Sequence, residues 1–172
     1  MIKNYTTKVP VDRTILEIER LLVKFNAKGI YKEYKGNQIS GLMFFIEKDG
    51  QKIPFKIPVQ LEKVRNIVQD AVDSKKLPIR YSSEPLRSEH GSRIMWRIIK
   101  DWIESQLSLY EINFADELQI FLPYAFNMAE NKTIYEKFIE NKEQLLSLPK
   151  LSDEDIDVDN NVLDVEEIKN GC

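Results

Sequence analysis

The chain has 172 residues, 42% of them hydrophobic and 10% aromatic, with one cysteine and a formal net charge of −3. This fits one globular domain with a tail, and no apolar run approaches the roughly 18 residues a membrane helix needs. The small net charge hides a split: residues 1–100 carry 20 Lys+Arg against 11 Asp+Glu, whereas residues 101–172 carry 5 against 17. A basic half of this kind points to a surface that meets an anion.

A first helix is predicted from the spacing of Ile15, Ile18, Leu22 and Phe25. Thr14 and Glu17 have capping-box spacing, Asp12 is a competing N-cap, and Gly29 lies just past the end. Three strands follow, at residues 30–34, 39–47 and 51–58. Leu42, Phe44 and Ile46 share one face of the second strand and Met43 and Phe45 the other, so it is expected to be central and buried on both sides. Asp49-Gly50 is a two-residue hairpin signal. Pro54 and Pro58 cannot donate to a ladder, so the third strand is expected at an edge.

A second helix is expected at 60–74, with Leu61, Val64, Val68 and Val72 inward. Residues 75–92 show no periodicity and hold Pro78, Pro85, Gly91 and the only histidine, His90, so a long loop is expected there, either functional or disordered. Ser92 then caps a strong helix over 93–110, through Ile94, Ile98, Ile99, Trp102, Ile103 and Leu107. A helix at 115–126, broken by Pro123, and one at 133–146, opened by a Thr133/Glu136 capping box, complete the body. Residues 151–172 hold 8 acids against one lysine and read as a disordered acidic tail. The expected class is α+β: one helix, a three-stranded antiparallel meander, a mainly helical C-terminal half, one domain over 1–150, then the tail.

Thr6-Thr7-Lys8-Val9-Pro10-Val11, Trp96-Arg97-Ile98-Ile99-Lys100-Asp101-Trp102 and Phe121-Leu122-Pro123-Tyr124 carry a resemblance. Over residues 4–140 the chain resembles a widespread group of small proteins of bacteriophages, prophages and other mobile elements that has no established activity. The resemblance implies a setting in the bacterial cytoplasm, and no reaction. The lack of a signal-peptide core in residues 1–7 agrees with that setting, and the lone Cys172, expected to be a free terminal thiol, fits a reducing compartment.

Arg93, Arg97 and Lys100 fall at i, i+4 and i+7 on one helix face, with Arg87 upstream and Trp96 beside them. Such a stripe could grip phosphates and stack a base; the bland reading is a solvated face, with Glu89 and Asp101 placed to pair with the arginines. Lys52 and Lys56 alternate out of the third strand, as nucleic-acid contacts or as protection of an edge. Phe121, Tyr124 and Phe126 are candidate protein contacts or core residues. His90 lacks a second histidine or a cysteine, no phosphate-loop or calcium-loop pattern occurs, and no metal or cofactor is expected. The leading expectation is a non-enzymatic accessory protein that binds DNA or RNA in replication or recombination. The alternative is a module that inhibits or recruits a bacterial or phage protein. The tail is expected to aid solubility, dock such a partner, or cover the basic body.

Overall fold

The computed structural model describes residues 2–146. The chain divides into two units, Met1–Glu140 and Asn141–Cys172; the tail expected at 151–172 lies outside the described residues. The order is α1 (Val11–Lys24), β1 (Gly29–Lys35), β2 (Gln38–Lys48), β3 (Gln51–Ile57), α2 (Leu61–Asp73), a 3-10 turn (Ile79–Ser82) and α3 (Leu86–Glu111). Then come α4 (Glu117–Phe121), a 3-10 turn (Leu122–Tyr124), the short strands β4 (Phe126–Asn127) and β5 (Lys132–Thr133), and α5 (Ile134–Leu146). The backbone of α5 leaves helical geometry at Asn141, φ −117°. The class is α+β, with a helix, a three-stranded antiparallel sheet and a helical second half.

β2 is central, with Ile30 and Phe55 both opposite Phe44. Asp49 and Gly50 take left-handed backbone, φ 52° and 74°, as the type I′ turn that suits strand twist requires. Pro54 is tolerated because β3 lies at the sheet edge. One sheet face is hydrophobic: Leu42, Phe44, Ile46, Phe55 and Ile57 pack on Ile15, Ile18 and Leu22 of α1 and on Trp96, Ile99 and Ile103 of α3. The ion pairs Glu17–Arg97 and Lys24–Glu111, both 2.5 Å, show that α1 and α3 run in the same sense. A second, smaller core joins α2 to α3 through Val64, Val68, Val72, Leu77 and Ile94.

Three boundaries differ from those expected. α1 begins at Val11 after Pro10, not at Thr14. Pro10 stands at the N-cap in extended backbone, and Thr14 lies within the first turns, fully buried, its hydroxyl donating to the Pro10 carbonyl at 3.3 Å. Residues 75–92 are not a long loop, because α3 starts at Leu86. Its first turns show no apolar stripe because they pack through small and polar groups: His90, Gly91 and Ser92 are buried. A methyl group on Gly91 would stand 3.4 Å from Arg65 Cγ, so α2 approaches closely there. The helix expected at 115–126 shrinks to α4, where Asp116 Oδ1 accepts from the Leu118 and Gln119 amides and Gln119 answers the Asp116 amide. Pro123 sits in the following 3-10 turn, and a hairpin, absent from the sequence reading, replaces the rest.

Candidate functional site

The arginine helix is not a free basic face. Trp96 is 0% exposed, locked between sheet and helices, so no base can stack on it. Arg97 is bound to Glu17 of α1 at 2.5 Å, and Lys100 to Glu104 at 2.5 Å; their side chains are only 19% and 15% exposed. Arg93 pairs with Glu89 one turn back. Arg87 pairs with Glu84 at 3.1 Å and bonds Gln69 of α2. The Arg65 guanidinium, with that of Arg87, holds Glu84 below the usual carboxylate range. Arg97 and Arg87 tie α3 to α1 and α2, whereas Arg93 and Lys100 pair within α3 itself. Nor do they join the strand lysines, because Lys52 and Lys56 alternate with core residues Ile53, Phe55 and Ile57 and so project from the sheet face opposite α1 and α3.

Phe121 is also internal. Its ring meets Phe25, Phe44, Phe55 and Trp102 at centroid distances of 5.6, 5.3, 6.0 and 5.9 Å. It is a core residue, so the protein-contact expectation fails for it.

Lys56, Tyr124 and Phe126, drawn from two separate candidate sets, come together. Phe55 bridges Ala125 across the outer edge of β3, and the Ile134 amide donates to the Ala125 carbonyl at 2.8 Å. That seam sets the hairpin and the start of α5 beside the strand end. Between them lies a groove of about 640 Å³, floored by residues 56–60 and walled by Tyr124, Phe126, Thr133, Tyr135 and Glu136. Lys56 Nζ stands 4.9 Å over the Phe126 ring and 3.6 Å from Glu33. The Tyr124 ring meets Trp102 edge-on at 5.0 Å, so this wall is anchored to the core. Tyr135 is 56% exposed. The predicted capping box is present: the Thr133 amide donates to Glu136 at 2.7 Å and the Glu136 amide to the Thr133 hydroxyl at 3.2 Å. Those bonds to Thr133 hold Glu136 below the usual carboxylate range. The amides of Val59 and Gln60, two residues that line the groove, donate no hydrogen bond among the described residues.

The sequence reading missed Tyr135 and residues 58–60. Tyr135 sits inside a capping box that explains itself as a helix start. Residues 58–60 lie between a strand and a helix and carry no periodicity.

Among the described residues no cluster of three or more His, Cys, Asp or Glu side chains could hold a metal ion, and no helix is long and apolar enough to cross a membrane. His90 is structural. Its Nε2 donates to the Tyr5 carbonyl at 2.8 Å, its ring stacks on Tyr81 with centroids 4.3 Å apart, and its Nδ1 is buried without a partner. Burial first, then the charges of Arg93 and Arg80, push its pKa below 6.5. Protonation would thus favour the unfolded chain, so this contribution is complete above the unfolded value of about 6.5 and is lost as pH falls through it toward the lower folded value. The urea midpoint of the wild-type chain is expected to drop as pH falls below about 6.5, and that step to vanish in His90→Gln. A step of equal size in the variant would assign the effect to other groups.

The chain matches no protein-family model, no curated protein and no solved structure.

Proposed function

We propose that this chain is a non-enzymatic protein-binding module that takes an extended segment of a partner protein into the groove beside β3. One observation carries the reading: Val59 and Gln60, whose backbone amides are unengaged among the described residues, line a groove together with Tyr124, Phe126 and Tyr135. Extended peptides that prolong a sheet edge use this combination, in which main-chain donors supply affinity and side-chain pockets supply specificity. The anchored Tyr124 and Phe126 rings lose little entropy on binding, and aromatic anchors of this kind carry a large share of interface energy. The resemblance supplies the proposed setting, a phage or mobile-element accessory protein that recruits or inhibits a bacterial factor. Nucleic-acid binding loses the support of Arg93, Trp96, Arg97 and Lys100, which are turned inward or paired.

The test is a random-peptide display selection against the full chain. Peptides enriched on the wild type are expected to bind Tyr135→Ala at least tenfold more weakly, about 1.4 kcal/mol, with the melting temperature unchanged. Enriched peptides that bind both proteins equally would refute the groove.

A further inference from the structure

Ten of the Lys and Arg side chains at residues 1–60 and 81–100 are engaged by carboxylates, yet one run of cations is not. Lys75, Lys76 and Arg80 lie between α2 and α3, are all exposed, and form no ion pair among the described residues. The turn that carries them is rigid. The Lys75 amide donates to the Val72 carbonyl at 2.9 Å and the Lys76 amide to the Ala71 carbonyl at 2.8 Å, the two bonds of a Schellman helix stop. Leu77 then enters the core between α2 and α3 and pins the run from behind. Arg80 follows in the 3-10 turn, its guanidinium 5.0 Å from the Tyr81 ring centre. Ile79, 78% exposed, stands between Leu77 and Arg80.

The Schellman stop needs left-handed backbone, and Lys75 supplies it at φ 57°. Among the described residues six non-glycine residues have positive φ: five are Asn or Asp, and Lys75 is the sixth. Asn, Asp and Gly adopt this region cheaply, whereas a lysine is strained there. A cation is thus held where the backbone alone would favour glycine. Asp70 and Asp73 lie on the last turns of α2, and neither reaches these three cations within ion-pair distance.

We propose that Lys75, Lys76 and Arg80 form a phosphate-binding surface for the backbone of a nucleic acid, separate from the groove and independent of it. Three exposed, unpaired cations within six residues, two of them on a hydrogen-bonded helix stop, complement a polyanion. One exposed isoleucine is far less apolar surface than an interfacial membrane anchor presents, so the nucleic acid is favoured over an anionic lipid surface. Contacts of this type release counterions, so affinity must fall steeply with salt.

The experiment is fluorescence polarisation with a labelled 30-nucleotide single strand and a 30-base-pair duplex, using the full chain from 50 to 200 mM salt. One variant carries Lys75→Asn, Lys76→Gln and Arg80→Gln; asparagine keeps the left-handed backbone. A charge-matched control carries Lys8→Gln, Lys35→Gln and Lys63→Gln, three exposed lysines on other elements. Circular dichroism melts confirm that both are folded. The loop variant is expected to lose at least tenfold in affinity at 50 mM salt, and the slope of log affinity against log salt to fall by about 2 to 3. The control is expected to stay within about threefold of the wild type. Equal losses in both variants would reduce the effect to net charge and overturn the proposal. So would a wild-type chain that binds neither strand, or one that binds only vesicles of 30% anionic phospholipid.

Discussion

Phe121→Ala is expected to cost about 3–5 kcal/mol of folding free energy, the range for deleting a fully buried phenylalanine. The site cannot close over the void cheaply, because four rings from four different elements converge on this one. Phe25 comes from the end of α1, Phe44 from β2, Phe55 from β3 and Trp102 from α3. α4 has only five residues and its buried anchor is Phe121. Loss of the ring therefore also loosens the chain leading to Tyr124, three residues on. Urea denaturation of the full chain reads the effect directly. A loss under about 1 kcal/mol would mean that the ring is exposed and available as the contact that the sequence pattern allowed.

Trp96 gives the second large effect, and its two substitutions are expected to diverge. Trp96→Ala removes a fully buried indole and is expected to cost about 3–5 kcal/mol. Trp96→Phe is expected to fall within about 1.5 kcal/mol of the wild type. The indole Nε1 is buried with no hydrogen-bond partner, and an unmet buried donor costs about 1–3 kcal/mol. Phenylalanine removes that donor, which offsets much of the lost packing. A tryptophan on a binding face would behave otherwise: Trp96→Ala would leave stability nearly unchanged and would weaken nucleic-acid binding.

Elements with a clear period were legible in the sequence. The alternation in β2 and β3, the Asp49-Gly50 turn and the 3–4 spacing from Ile94 to Leu107 placed the sheet and the spine of the core. What failed was structure whose cause lies elsewhere in the chain. The first turns of α3 pack on α2 at Gly91 through small and polar residues, a contact that no local window contains. The Thr14–Glu17 spacing is that of a capping box, but Glu17 bonds Arg97, 80 residues away, and Thr14 turns inward. Charge was legible as a total and not as a surface. Arg93, Arg97 and Lys100 do share a helix face, yet partners at Glu89, Glu17 and Glu104 occupy them. The Glu89 partner of Arg93 was legible in advance, but Asp101, placed to pair with Arg97, meets Lys3 at 2.9 Å instead, and the long-range Glu17–Arg97 pair could not be read. The groove drew one residue from the basic set, Lys56, and two from the aromatic set, Tyr124 and Phe126. Sequence reasoning had set these apart as rival functions because the β4–β5 hairpin that joins them is too short to show a period.

The groove is tested most directly by an amide-resolved NMR titration of the full chain with a peptide from the display selection. The largest shifts are expected at Ile57, Val59 and Gln60, at residues 124–126 and at residues 133–136, with the Val59 and Gln60 amide protons moving downfield as they gain acceptors. Shifts concentrated instead along α1 and the Arg93–Lys100 face of α3, with the groove amides unmoved, would contradict it.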